Sequence, residues 1–163
     1  MLDSRDVAAG GSGFAVYAKP DDNKPGIYHW EAAIGNGGAG AAAFTLATSS
    51  DPPITLDDSS LPAGVTYYLA VTFDGPSQTL ILYVDGEQRG PKVNPAIYVP
   101  NTTQPLWIGA GGSYFPLRPQ PPGVVASPLF PFVGAIKDVA LYNAALASDV
   151  VLLHYHNGNG VAS

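Results

Sequence analysis

Apolar and polar residues alternate along most of this chain. Phe14 to Lys19 sets Phe14, Val16 and Ala18 against Ala15, Tyr17 and Lys19, and short runs at Ile27 to Ile34 and Ala42 to Thr48 follow. A period of two over such lengths predicts half-buried strands. The stretch GNGGAGA at 35–41 separates the second and third of these as a turn. The clearest pair is Thr66 to Phe73 and Gln78 to Val84. Leu69, Val71 and Phe73 alternate with Tyr68, Ala70 and Thr72, and Leu80, Leu82 and Val84 alternate with Ile81 and Tyr83. Between the two runs lies Asp74-Gly75-Pro76-Ser77, where Gly75 is expected to take positive φ and Pro76 to fix its own, making a hairpin. Asp85-Gly86 is expected to close the second strand in the same way, with further strands at Ile97 to Val99, Pro105 to Gly109 and Val133 to Tyr142.

One segment reads as a helix. SDVVLLHYHNG, starting at Ser148, offers Ser148 as N-cap, Asp149 in the first turn, Leu146, Val150 and Leu153 near one face, and Asn157-Gly158 as a stop. About ten short strands and one short C-terminal helix predict an all-β fold, an antiparallel two-sheet sandwich.

Composition narrows this further. The 19 glycines and 16 prolines are too many breakers for a helix bundle, while 46% hydrophobic and 12% charged residues in 163 positions point to one domain with a core. The net charge of -6 includes only seven bases, scattered from Arg5 to Lys137, so the basic stripe of a nucleic-acid surface is missing. The longest apolar runs fall far short of the roughly 20 residues that span a bilayer. The opening MLDSRDVAAGG has no basic start followed by an apolar stretch, so no signal peptide is expected here. With no cysteine, thiolate chemistry and disulfides are excluded.

Three segments now carry a family likeness. TYYLAVTFDGPSQTLILYVDGEQRG at 66–90 resembles the central hairpin of the laminin G-like or concanavalin A-like jelly rolls. PLWIGAG at 105–111 and GAIKDVALYNAALASDVVLLHYHNG at 134–158 follow in the family's order, and GFAVYAKPD at 13–21 is similar to its early strand. The resemblance implies a jelly roll over 12–158, with 1–11 as an N-terminal extension and 159–163 as a tail. Departures are Tyr17 or Ala18 where the early strand often has Trp, Thr66 in place of a Trp, and Lys137 in place of the Asp of the late motif. The stretch before residue 12 is short for the family's first strand, which predicts an abbreviated edge open to association.

The chemical candidates are weighed against that fold. Relatives that hydrolyse glycosides are expected to use a Glu-x-Asp-x-Glu strand, with acid and nucleophile about 5 Å apart for retention. The glutamates here are Glu31 and Glu87 alone, and no strand carries that spacing. The Gln-x-His and Arg-rich strand of lyases on this fold are likewise missing, and Gly11-Ser12-Gly13 lacks the context of a nucleophile elbow. His154 and His156, two apart on a helix, point to different faces and make an awkward metal pair, which leaves them, with His29, as solvated or capping groups. No cofactor is expected, with calcium the less favoured alternative, through Asp21, Asp22, Asp57, Asp58, Asp74, Asp85 and Asp138 near turns. Asp before Gly, as at Asp74 and Asp85, is ordinary turn chemistry.

Sugar recognition on such a scaffold would use open aromatic faces. Tyr28 and Trp30 share one face of their strand. Trp107 is expected to be the more exposed, because Leu106 and Ile108 share the opposite face as a core pair. An insertion at 111–132, where the family has a shorter connection, gathers six prolines with Tyr114, Phe115, Phe130 and Phe132 into a semi-rigid arm. A loop beyond about 15 residues is commonly functional. Asn101-Thr102-Thr103 is a glycosylation acceptor if the chain enters a eukaryotic secretory pathway. The expected function is a non-catalytic carbohydrate-binding or adhesive module of a surface or secreted protein, with Trp107, Trp30, Tyr28, Tyr114 and Phe115 as ligand-binding residues. Its partner would be a glycan or a protein, with no nucleic acid and no membrane insertion. The alternative is a structural or assembly protein, such as a viral capsid decoration or surface-layer subunit, docking through its termini and the 111–132 arm.

Overall fold

The computed structural model describes residues 2–6, 10–21, 23–24, 27–49, 54–55, 66–111, 132 and 134–158. Among these the strands are β1 (Leu2–Asp3), β2 (Phe14–Pro20), β3 (Ile27–Gly35), β4 (Phe44–Thr48), β5 (Ile54–Thr55), β6 (Leu69–Asp74), β7 (Thr79–Val84), β8 (Glu87–Gln88) and β9 (Trp107–Ile108). A 3-10 turn covers Gly40–Ala43 and the helix α1 covers Ser148–Gly158. One sheet runs in the order β4-β3-β2-β1-β9, with β5 added to β3, and a second runs β6-β7-β8. Both are antiparallel, as period-two patterning with short turns requires. The chain divides into two compact units. One comprises Met1–Tyr17, Ala32–Leu46 and Ala96–Val139, and the other comprises Ala18–Glu31, Ala47–Pro95 and Ala140–Ser163.

In the first unit β1 pairs with β2 through Leu2↔Val16 and with β9 through Asp3↔Trp107. Its apolar centre is Ala33, Ala43 and Phe44, with Tyr17 and Leu46 packed against it. Against this centre lies a buried ion pair. Arg5 Nε and Nη2 donate to the two oxygens of Asp3 at 2.9 and 3.0 Å, while the guanidinium stands 5.1 Å from the centroid of Tyr17 and 5.8 Å from that of Phe44. The planar fork and aromatic stacking suit arginine and not lysine. Glycine is required where backbones approach closely: a Cβ on Gly13 would lie 2.2 Å from Ser4 O, and one on Gly35 would lie 2.2 Å from Gly11 O.

The second unit contains the predicted hairpin. β6 and β7 pair in full register from Leu69↔Val84 to Asp74↔Thr79, and Leu80, Leu82 and Val84 are buried on one face. Burying a leucine contributes about 1.5–3 kcal/mol, so Leu80 and Leu82 anchor this sheet. The connecting turn differs in one detail from the sequence expectation. Gln78, at φ 51, and not Gly75, takes the left-handed conformation. A loop of this length places that residue last, where the chain rejoins the strand. Asp85 and Gly86 behave as expected, at φ 54 and 78, the two-residue turn that joins β7 to β8 with Val84 opposite Glu87.

Several expected strands are shorter or missing. Pro105 to Gly109 contributes only Trp107–Ile108, and neither Ile97 to Val99 nor the described part of Val133 to Tyr142 forms a strand. Asp138, at φ 55, interrupts the latter with a left-handed residue that a ladder does not accommodate. Val99 still bonds outward, donating to Gly35 O and accepting from Gly13 N, so its backbone is satisfied without a ladder.

The helix forms where its caps place it, with a correction at each side of its first turn. Val151 N donates to Ala147 O at 3.0 Å, which makes Ala147 the N-cap and moves Ser148 to the first helical position. The face turned inward centres on Val151, fully buried, and not on Val150 and Leu153. The reason is the seat of the helix. A Cβ on Gly86 would lie 2.9 Å from Leu152 Cδ1 and 3.0 Å from Tyr155 Cδ1, so α1 rests directly on the β7–β8 turn through those side chains.

Candidate functional site

The five residues expected to bind a ligand are placed unequally. Trp30 is 5% exposed on β3, packs edge-on to Tyr67 with centroids 5.7 Å apart, and has its backbone tied to Ser49 on both sides. It is a core residue, because stacking on a sugar needs an open ring face. Tyr28, two positions back on the same strand, is half-buried. Trp107 is also half-buried, and the faces around it are the reverse of those expected: Ile108 is 53% exposed and Leu106 is 36% exposed. PLWIG is apolar at three successive positions, so alternation alone cannot choose which side faces inward. Tyr114 and Phe115, with the rest of the arm at 112–131, lie outside the described residues.

The acids of the turns are spent locally. Asp85 Oδ1 accepts from Tyr68 N at 2.9 Å, Asp74 accepts from Ser77 N and Oγ, and Asp138 faces Lys137 at 3.4 Å. Asp85 and Glu87 stand only two apart, but across the tight turn, with Glu87 paired to Arg89 at 2.9 Å. Asp21 accepts from Asn23 N at 2.8 Å and meets His29 Nε2 at 3.1 Å. The Asn23 amide first, and His29 second, hold the Asp21 carboxyl below its ordinary value of 3.8. Among the described residues no three His, Asp or Glu side chains converge as metal ligands. Asp22, Asp57 and Asp58 lie outside them. Among the same residues no helix is long and apolar enough to cross a membrane.

A different place gathers polar groups. An open cleft of about 400 Å³ lies where the β7–β8 turn meets the first turn of α1, lined by Tyr83, Gly86, Gln88, Lys92, Ser148, Asp149 and Leu152. The volume falls in the range of small-ligand sites. Lys92 and Asp149 carry opposite charges, and Gln88 Nε2 donates to Gly90 O at 2.9 Å, which leaves its carbonyl oxygen uncommitted on that bond. Sequence reasoning missed this cleft, because its residues are brought together only by the seating of α1 on Gly86. The available signal was the Asp85-Gly86 turn followed, far along the chain, by a polar Ser-Asp pair at a helix start.

The crystal structure of an S-layer domain-containing protein fragment from Clostridium thermocellum is similar, with 22% identity and a TM-score of 0.41; the alignment covers 88% of this chain and 63% of that one. No curated protein matches the chain. The laminin G-type family described as the Concanavalin A-like lectin/glucanases superfamily matches residues 5–151, nearly the whole length. With two antiparallel sheets and one short α-helix among its described residues, the chain belongs to the Concanavalin A-like lectin/glucanases superfamily.

Proposed function

We propose that this protein is a non-catalytic carbohydrate-binding or adhesive module that works at a cell or particle surface or in secreted form. The observation that carries this reading is the family match over residues 5–151. Two features of the chain support it. The carboxylates nearest to a hydrolytic spacing, Asp85 and Glu87, are each committed to another group, to Tyr68 N and Arg89 respectively. Tyr28 and Trp107 are half-buried aromatic residues, the amphipathic kind of side chain on which sugars stack. A glycan array with the intact chain tests the reading: binding to defined saccharides supports it, and a loss of that binding in Trp107→Ala with the fold intact assigns the platform.

A second reading is favoured by a specific observation. Among the described residues, Ile97 and Ile108 in the first unit and Leu141 and Tyr142 in the second are each more than half exposed. An assembly role would use such surface against other chains. Sizing in solution separates the two readings, since a glycan-binding monomer and a sugar-indifferent oligomer give opposite results.

A further inference from the structure

We propose that the cleft between the β7–β8 turn and α1 binds one unit of a neutral saccharide. This rests on the carbohydrate-binding reading above and assigns it a place that neither Tyr28 nor Trp107 occupies. Tyr83 lines the cleft. Strand alternation sets it on the face opposite Leu82 and Val84, and it is 3% exposed. A buried phenol ordinarily finds a hydrogen-bond partner. Among the described residues the Tyr83 hydroxyl has no side-chain hydrogen-bond partner, and it is not one of the buried polar atoms sealed from solvent, so it is available to a ligand in the cleft.

The surrounding groups define the class of that ligand. Lys92 offers donors, the Asp149 carboxylate and the Gln88 carbonyl offer acceptors, and the hydroxyls of Ser148 and Tyr83 do both. The two charges cancel, which gives no preference for an ion of either sign. Asp149 also answers the positive end of α1 from within its first turn, and its Oδ1 accepts from Val150 N at 2.9 Å, so the helix start is not an anion trap. Sugar hydroxyls donate and accept at once and match such a mixed set. Leu152, 41% exposed, offers an apolar edge for the C–H face of a ring. The open form of the cleft lets a polymer continue past the bound unit.

The test is a titration of the isotope-labelled full chain with maltohexaose, cellohexaose, mannohexaose and chitohexaose, followed by amide chemical shifts, with an oligogalacturonate as the charged comparison. The expected result is that a neutral hexasaccharide moves the amides of Gly86, Gln88, Ser148 and Asp149. Tyr83→Phe, which removes only a hydroxyl without a partner among the described residues, then weakens that binding about tenfold. Gln88→Ala, at an exposed position, provides a second variant with no demand on folding. Neutral-sugar binding that moves other amides and is unchanged in both variants overturns the site and leaves the carbohydrate reading standing. Preference for the charged oligosaccharide at these amides overturns the neutral class. Binding of no saccharide here or on a glycan array overturns the broader reading and the site together.

Discussion

Gly86→Ala is the sharpest test of how α1 is held. Gly86 stands at φ 78, and an added Cβ would meet Leu152 Cδ1 at 2.9 Å, Tyr155 Cδ1 at 3.0 Å and Tyr155 Cβ at 3.1 Å. The left-handed conformation alone costs an L-residue about 1–2 kcal/mol. Forcing a methyl against packed side chains costs about 1–3 kcal/mol more. If the helix lifts off instead, Val151 loses full burial, which is worth about 1.5–3 kcal/mol. Either route gives a loss of about 2–5 kcal/mol. The internal control is Gly75→Ala in the preceding turn, where the nearest atom to a new Cβ is Phe73 Cε1 at 3.9 Å and φ is not positive. Urea unfolding of both variants, followed by circular dichroism, reads the difference. A Gly86→Ala midpoint within about 0.5 kcal/mol of Gly75→Ala would refute the account of the helix seat.

Other expectations follow from the same structure. Arg5→Ala leaves the Asp3 carboxylate buried without its bidentate partner and should cost about 3–5 kcal/mol in urea unfolding, far more than loss of an exposed pair such as Arg89–Glu87. Asp21 is held below 3.8, so its contribution is present above that value and is lost as pH falls through the lowered one. Thermal melts should therefore show the gap between the wild type and Asp21→Asn closing as the solution is acidified; a gap that widens instead contradicts the assignment. Tyr98 is pushed above 10.0 by burial, as are Tyr67 and Tyr68, so native stability should decline as pH rises past 10.0. Tyr98→Phe should blunt that decline in alkaline melts.

The register of the central hairpin was legible in the sequence, though not the left-handed residue of its turn, because strict alternation on both sides of a turn leaves one register that buries Leu80, Leu82 and Val84 together. The helix was legible in extent but not in rotation, since its inward face depends on Gly86, which lies far away in sequence. Around Trp107 the pattern was silent for a physical reason: with Leu106, Trp107 and Ile108 all apolar, either face satisfies the hydrophobic rule, and pairing with β1 decides. Trp30 was undecidable for the same cause, its neighbour Tyr28 being equally amphipathic. The Arg5–Asp3 pair was hidden because a charge next to a chain start reads as solvated, whereas Tyr17 and Phe44 from other strands pack against the guanidinium. The cleft beside Tyr83 had no local signature, as polar groups from a turn, a loop and a helix start meet there only after folding.

The central claim is carbohydrate binding, and the most direct measurement is the glycan array with the intact chain beside Trp107→Ala and Tyr83→Phe. The account predicts binding to a defined set of neutral saccharides by the wild type, weakened in at least one variant whose fold is unchanged. A chain that binds no saccharide and sizes as a stable oligomer contradicts it.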